Sequence, residues 1–248
     1  MTAHSLRAEP VERVWGRRTL PAGFARPPGD APIGEIWFEA PPEAELLVKY
    51  LFTAERLSIQ VHPDDATARA RGFARGKDEA WYVLEAEPGA AIGLGLTRSV
   101  SPVALREAAL DGSIEALLDW RPVKAGELIY SPAGTIHAIG GGISLIEIQQ
   151  NLDLTYRLYD YGRPRELHLD EALAVAIPGP WAPPETPAFS VERRRTSGPL
   201  RPGAVAVPIA SGGTIDGAPL IAGTAWAVEG EDAQLGGEGI DLLVAWPN

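Results

Sequence analysis

The residue types most able to do chemistry in this chain are a few histidines, carboxylates and amides. Only four histidines occur in 248 residues, and one of them, His137, stands in "SPAGTIHAIGGG" at 131–142. Apolar "GELIY" precedes that stretch and "ISLIEIQQ" follows it, so it reads as a turn joining two strands. A second histidine closes "RLSIQVH". On a strand, side chains alternate, which sets Ser58, Gln60 and His62 on one face and Leu57, Ile59 and Val61 on the other. Taken alone, that pattern equally fits a half-exposed strand showing polar residues to water. In "GKDEAWYVL", Glu79 stands at the entrance to an apolar run, with Lys77 beside it. Gln60, His62, Glu79 and His137 together offer O, N, O and N donors. Imidazole with carboxylate suits zinc or iron, and an open coordination position would make such a site catalytic.

Further candidates lie downstream. Glu147 and Gln149 share one face of the strand "ISLIEIQQ", with Ile146 and Ile148 on the other. If the polar face lines a barrel, Glu147 can take a proton or orient a ligand; otherwise it is a solvated carboxylate. Arg157, in "LTYRLYDYGR", fits either a surface ion pair with Asp153 or Asp160, or a fork that grips a phosphate or vicinal oxygens. His168 reads as a surface histidine at a helix start, and His4 lies where fraying is expected.

Composition narrows the function classes. The net charge is −11 and no basic run occurs beyond "ERRRT", which argues against nucleic acid or an anionic membrane as partner. A small phosphorylated ligand stays open, because a buried site needs only a few placed cations. With no cysteine, disulfides, thiolate metal sites and cysteine nucleophiles are excluded, and no second metal centre is expected. No apolar run reaches about 18 residues and the first residues lack an apolar signal region, so the chain reads as soluble and cytoplasmic. "GLGLTR" lacks the third glycine of a dinucleotide fingerprint, and no phosphate-binding Gly-x4-Gly-Lys loop occurs.

The elements that must position these residues are mostly strands. Abundant Gly (27) and Pro (23), scattered between short apolar runs, point to many strands and turns. Strands are expected at 34–39, 46–52 and 57–62, on either side of the turn Glu87-Pro88-Gly89, and in "GELIYSP" and "ISLIEIQQN". Short helices are expected in "PDDATARARG" and in the stretch from 101 to 120, where Ser101 caps a helix with Pro102 at its first position. The division expected is a first domain at 1–175, a linker at 176–203 and a small β lobe at 204–248 that carries no histidine.

The spacing Gly126-x5-Pro132-x-Gly134-x2-His137 resembles the second motif of the cupin superfamily. Its glycines and proline shape a bend that aims a histidine into a β-barrel. The first cupin motif, two histidines one residue apart, is replaced here by Gln60-Val61-His62, and the gap to Glu79 is longer than usual. With "LSIQVHPDD", "GKDEAWYVL", "SPAGTIHAIGGG" and "EIQQNLDLTYRLYDYGR" in that order, residues 12–165 resemble the type I mannose-6-phosphate isomerases in their short bacterial form.

That resemblance implies a mainly β fold, a cupin (jelly-roll β-barrel) with helical insertions plus a second smaller β lobe. It implies zinc, one per chain, held by Gln60, His62, Glu79 and His137. It assigns Arg157, Lys77 and Glu147 as catalytic and Ser58, Lys77, Asp153 and Arg157 as substrate-binding, and it matches Trp15 and Gly16 to an N-terminal Trp-Gly. The implied reaction interconverts mannose 6-phosphate and fructose 6-phosphate by proton transfer through an enediolate, in a cytoplasmic monomer or small homo-oligomer whose partner is the sugar phosphate. Two departures stand out. Ile139 replaces a tyrosine of the larger members, and the C-terminal lobe matches no motif. A related isomerase of another sugar, a sugar-binding cupin without activity and an oxygen-dependent cupin are the alternatives.

Overall fold

The computed structural model describes residues 2–21, 23–24 and 29–248. Its architecture is a stack of antiparallel sheets with helices on one outer side.

The central sheet has six strands in the order β2 (Ala8–Arg17), β3 (Ile33–Phe38), β4 (Leu46–Phe52), β11 (Ile143–Gln150), β6 (Glu79–Ala86) and β9 (Leu128–Ser131). Facing it is a five-stranded sheet: β12 (Tyr156–Tyr159), β5 (Ile59–Val61), β10 (His137–Ile139), β7 (Ala91–Leu96) and β8 (Leu118–Pro122). Trp81, Val83, Leu51 and Leu145 of the first sheet meet Ile92, Leu94 and Ile139 of the second, closing one end of the barrel with an apolar plug. α1 (Asp65–Ala70) follows β5, and behind the five-stranded sheet pack α2 (Pro102–Asp111), α3 (Ile114–Leu117) and α4 (Leu169–Val175). Leu105, Ala108, Ala109, Ile114 and Ala172 are buried there against Ile59, Val61 and Ala138. Ser101 caps α2 with Pro102 at its start, as the sequence implies.

The second lobe covers the other face of the central sheet. Its inner sheet runs β1 (Ala3–Ser5), β18 (Trp226–Val228), β15 (Val205–Pro208), β20 (Leu242–Pro247), β13 (Phe189–Arg194). A smaller outer sheet holds β14 (Gly198–Leu200), β19 (Ala233–Gly236), β16 (Thr214–Ile215) and β17 (Ala218–Pro219). Val48, Tyr50, Phe52, Ile146 and Ile148 bury themselves against Phe189, Val205, Val207 and Leu243. Every residue of "LLVKYLF" and "ISLIEIQQ" is therefore buried, because both faces of these strands are covered.

Two expectations are corrected. Residues 189–194 and 198–200, inside the segment read as a linker, are strands of the second lobe; Arg193 and Arg194 sit on one edge strand and Pro199 on another, each held by a single neighbour. His4 is not in a frayed end but in β1, paired with Ala227 and within 4.0 Å of Glu229. Among the described residues no helix is long and apolar enough to cross a membrane.

Candidate metal centre and active-site cavity

Strand register builds the site. Residues directly opposite one another on neighbouring strands share a face. Arg157 stands opposite Gln60, and Gln60 opposite His137, so the three form a row across β12, β5 and β10. On the central sheet, Trp37, Lys49, Glu147 and Trp81 form a second row, and Gln149 stands opposite Glu79 in the next. The two polar rows face one another across a cavity of about 430 Å³. Ser58, Gln60, Lys77, Glu79, Glu147, Asp153 and Arg157 all line it, together with Ile139.

At its floor His62, Glu79 and His137, all buried, bring one donor atom each within 4.8 Å of one another. His62 Nε2 lies 3.2 Å from Glu79 Oε1, and His137 Nε2 lies 3.3 Å from Oε2. The far nitrogens identify the tautomers. His62 Nδ1 donates to the Leu154 carbonyl at 2.8 Å and His137 Nδ1 to the Thr135 carbonyl at 2.9 Å. A carbonyl only accepts, so both Nδ1 atoms carry hydrogen. Burial first, then Lys77, lowers His62 to about 3, and burial lowers His137 despite Glu79; both rings are neutral at pH 7. Each Nε2 then presents a lone pair to a carboxylate oxygen. Neither Glu79 oxygen receives a hydrogen bond of good geometry, although Lys77 Nζ lies 2.7 Å from Oε1. Lys77 Nζ also faces His62 Nε2 at 3.4 Å, while the lone pair of His137 turned on Oε2 calls for a cation, and backbone carbonyls that orient both imidazoles are what a metal site needs. Gln60 borders this trio. Its Nε2 lies 3.3 Å from His137 Nε2 and its Oε1 accepts from Ser58 Oγ at 3.1 Å; half a turn of the amide directs the oxygen inward.

The neighbouring charges are arranged in pairs. Burial opposes the charge of Lys77, but Glu79 and then Glu147 hold it and raise its pKa. Burial opposes the charge of Glu79, but the Lys77 ammonium 2.7 Å away outweighs it and holds its pKa well below the usual carboxylate range. Glu147 goes the other way: burial and then Glu79 raise it, against Lys49 and Lys77. Two carboxylates of one cavity are thereby driven apart in acidity, the usual mark of an acid–base site. Trp81 Nε1 donates to Glu147 Oε1 at 3.1 Å, and Lys49 Nζ lies 3.5 Å from Oε2.

The "QQN" stretch explains its own presence. Gln149 Oε1 accepts from Lys49 at 2.8 Å, and its Nε2 donates to the Leu152 carbonyl at 2.9 Å, two residues before the carbonyl that orients His62. Gln150 Oε1 accepts the Asp78 amide at 2.9 Å. Asn151 donates to the Pro41 and Ala44 carbonyls.

Above the floor the cavity is lined with guanidiniums. Arg157 is half-buried, and its Nε is buried without a hydrogen-bond partner. Arg165 is fixed by a two-pronged bond to buried Asp160, at 2.6 and 2.7 Å. Arg13 lies 2.6 Å from Glu35, which also accepts from Trp37 Nε1 at 2.9 Å. Arg13 reaches the cavity because β2 bulges: Glu12 and Arg17 both pair with Ile33, leaving the residues between them looped out. Gly16 is needed in that loop, since a Cβ there would come within 2.4 Å of the Ile33 backbone. Trp15 beside it is buried and lines the cavity.

His168 differs from the surface residue expected. It is half-buried ahead of α4, its Nδ1 accepts the Arg157 amide at 3.2 Å, and its own amide donates to the Arg157 carbonyl at 2.8 Å. It anchors the strand that carries Arg157. Sequence reasoning also passed over Lys49, Glu35, Trp37, Arg13 and Arg165. One signal was available: Lys49 is the lone charge in "LLVKYLF", and a charge inside a fully apolar strand needs a buried partner.

No family model matches the chain. Over 140 residues it is 44% identical to a mannose-6-phosphate isomerase of Streptococcus mutans, covering 54% of this chain and 44% of that protein. It is 41% identical over 137 residues to the mannose-6-phosphate isomerase ManA of Bacillus subtilis, covering 52% and 43%. The chain thus spans less than half the length of these curated relatives. In three dimensions the crystal structure of the Bacillus subtilis mannose 6-phosphate isomerase superposes with a TM-score of 0.78 at 25% identity over 99% of both chains. The chain has the phosphomannose isomerase fold. The resemblance read from the four motifs therefore holds, and in the fold it extends through the second lobe, where no motif was recognised. A zinc-bound mannose 6-phosphate isomerase shares the fold over 100% of both chains with a TM-score of 0.73 at 15% identity.

Proposed function

We propose that this chain is a zinc-dependent aldose–ketose isomerase that interconverts mannose 6-phosphate and fructose 6-phosphate in the cytoplasm. The observation that carries the reading is the pair of neutral imidazole Nε2 atoms turned onto Glu79 at 3.2 and 3.3 Å, on the floor of a cavity lined by cations. Gln60, His62, Glu79 and His137 would hold one metal ion per chain. When bound, that ion supplies Lewis acidity to the sugar oxygens.

The chain's own groups account for the rest. Isomerisation moves one proton between neighbouring carbons and builds negative charge on oxygen. Glu147, buried, raised in pKa and steered by Trp81 and Lys49, is suited to accept and return that proton. Lys77 and Arg157 stand beside the ligands as fixed cations for the developing charge. Ser58 and Asp153 line the same cavity and offer hydrogen bonds to sugar hydroxyls. Arg157, Arg165 and Arg13 give the cavity wall its affinity for an anionic substrate. Water is excluded from the floor by the Trp81–Leu51–Leu145 plug.

A second reading, a related isomerase of another sugar phosphate, rests on Ile139, an apolar residue on the cavity wall where the larger family members carry tyrosine. One experiment separates the readings. Metal content and conversion of mannose 6-phosphate to fructose 6-phosphate are measured on one purified sample before and after chelation. About one zinc per chain, with activity lost on chelation and restored by zinc, supports the proposal. Zinc without this activity favours the second reading, and neither metal nor activity refutes both.

A further inference from the structure

Between the two cavity residues Lys77 and Glu79 sits Asp78, a carboxylate with no part in the chemistry described above. Alternation sends its side chain to the opposite face. It is buried there and accepts from three separate segments. Tyr130 Oη on β9 donates to Oδ2 at 2.7 Å, the Ala188 amide donates to the same oxygen at 3.2 Å, and the Ala133 amide donates to Oδ1 at 2.8 Å. Ala188 directly precedes β13 of the second lobe. Ala133 lies in the turn that delivers His137. Asp78 is itself clamped, since its amide donates to Gln150 Oε1 at 2.9 Å and its carbonyl accepts the Gln150 amide at 3.0 Å. Gln150 Nε2 in turn donates to Asp65 at 2.9 Å.

The turn beyond Ala133 sets the ring of His137. The Gly134 amide donates to the His62 carbonyl at 2.9 Å, tying the two ligand segments together, and the Thr135 carbonyl orients His137 Nδ1. Gly134 has φ +82, so the bend has one narrow shape. A shift at Ala133 therefore becomes a shift of His137 Nε2 against Glu79. Burial and then the Asp78 carboxylate push the Tyr130 phenol far above its ordinary value, so its hydroxyl remains a donor.

We infer that Asp78 is a positioning residue that braces the His137 turn and couples the second lobe to the metal ligands. The lobe thereby contributes to the site, because its Ala188 amide is one of the three donors of the brace. A carboxylate is required because both oxygens face donors. An asparagine amide group facing Ala133 would oppose N–H to N–H; facing the other pair, it would oppose the Ala188 amide.

The test uses the full chain, and only its zinc arm rests on the function proposed above. In the metal-free protein, amide hydrogen exchange is followed at Gly134, Thr135 and His137, with Ile146 as the internal reference. Asp78→Ala is expected to speed the turn amides at least tenfold relative to Ile146, and Asp78→Asn to act in the same direction but less. Zinc affinity, measured by competition with a chelator, is expected to fall by about 10–100-fold in Asp78→Ala, the size of effect seen when outer supports of metal sites are removed. Leu105→Ala, in the helical core outside the second lobe, is the control for general destabilisation. Unchanged exchange in Asp78→Ala overturns the brace. So does a control that loosens the turn as much at equal loss of Tm. If Asp78→Ala does not fold, Asp78→Asn and Tyr130→Phe carry the same comparison. Wild type that binds no zinc refutes the metal reading, and the exchange data then decide the brace alone.

Discussion

Replacing Lys49 by Met keeps the length of the side chain and removes a buried cation. Lys49 Nζ lies 3.5 Å from Glu147 Oε2, and both residues are buried. At that separation and an effective dielectric of about 20, Coulomb attraction amounts to about 5 kcal/mol. The full amount will not appear, because Glu147 can take a proton when its partner is lost, and each unit between its pKa and the working pH limits the loss to about 1.4 kcal/mol. Lys77 remains as a second cation that faces Glu147. A double-mutant cycle of Lys49→Met and Glu147→Gln, followed by urea unfolding of metal-free protein, is therefore expected to give a coupling of about 3 kcal/mol at pH 8. As pH falls and Glu147, its pKa raised by burial and then by Glu79, takes up a proton, the coupling should shrink. A coupling under about 1 kcal/mol at pH 8 would refute the argument, since it would mean that the pair is screened by water and that the cavity is not the dry site described.

Three more expectations follow from the same contacts. Glu79→Gln removes the anion that both Nε2 atoms face and should lower zinc affinity by at least about 100-fold, read by chelator competition, while Lys77, left with Glu147 as its remaining carboxylate, lowers stability as well. Arg157→Ala should keep zinc stoichiometry and lower kcat/KM by about 100- to 1,000-fold; equal turnover in variant and wild type would remove Arg157 from the mechanism. Asp216 accepts from the amides of Ala3 and Gln234 and from Thr2, and its pKa is lowered from 3.8 to about 2, chiefly through the Thr2 hydroxyl. Because the folded value lies below the unfolded one, its contribution to stability is present above about pH 4 and lost as pH falls through about 2. Asp216→Asn should flatten the acid limb of an unfolding curve between those limits; an unchanged limb would show that the contacts of Asp216 do not hold β1 to its lobe.

Much of the site could be read from the chain because its polar residues come in local pairs. Gln60 and His62 belong to one short stretch, Lys77 and Glu79 to another, and period-2 alternation places each pair on a common face. The bend before His137 is written in Pro132 and Gly134, whose backbone preferences hold wherever the turn sits. Helix caps such as Ser101 are equally local. The residues that escaped notice are those whose meaning comes from register. Lys49 in an apolar strand, Glu35 in "GEIWF" and Arg13 before a Trp-Gly pair become cavity residues only when β2, β3, β4 and β11 lie side by side.

By itself, then, the sequence determined which donor atoms exist, their order and the local bends that present them, since alternation and turn chemistry act over a few residues. Only the tertiary structure decided which faces are dry. The second lobe covers one face of the central sheet and the five-stranded sheet covers the other, so Lys49, Glu147, Gln149 and Gln150 on β4 and β11 take their partners from inside the protein. Lys49 meets Glu147 and Gln149, and Asp78 meets Tyr130, Ala133 and Ala188, across distances in the chain that no local pattern spans. Desolvation turns those meetings from incidental surface contacts into constraints on the site.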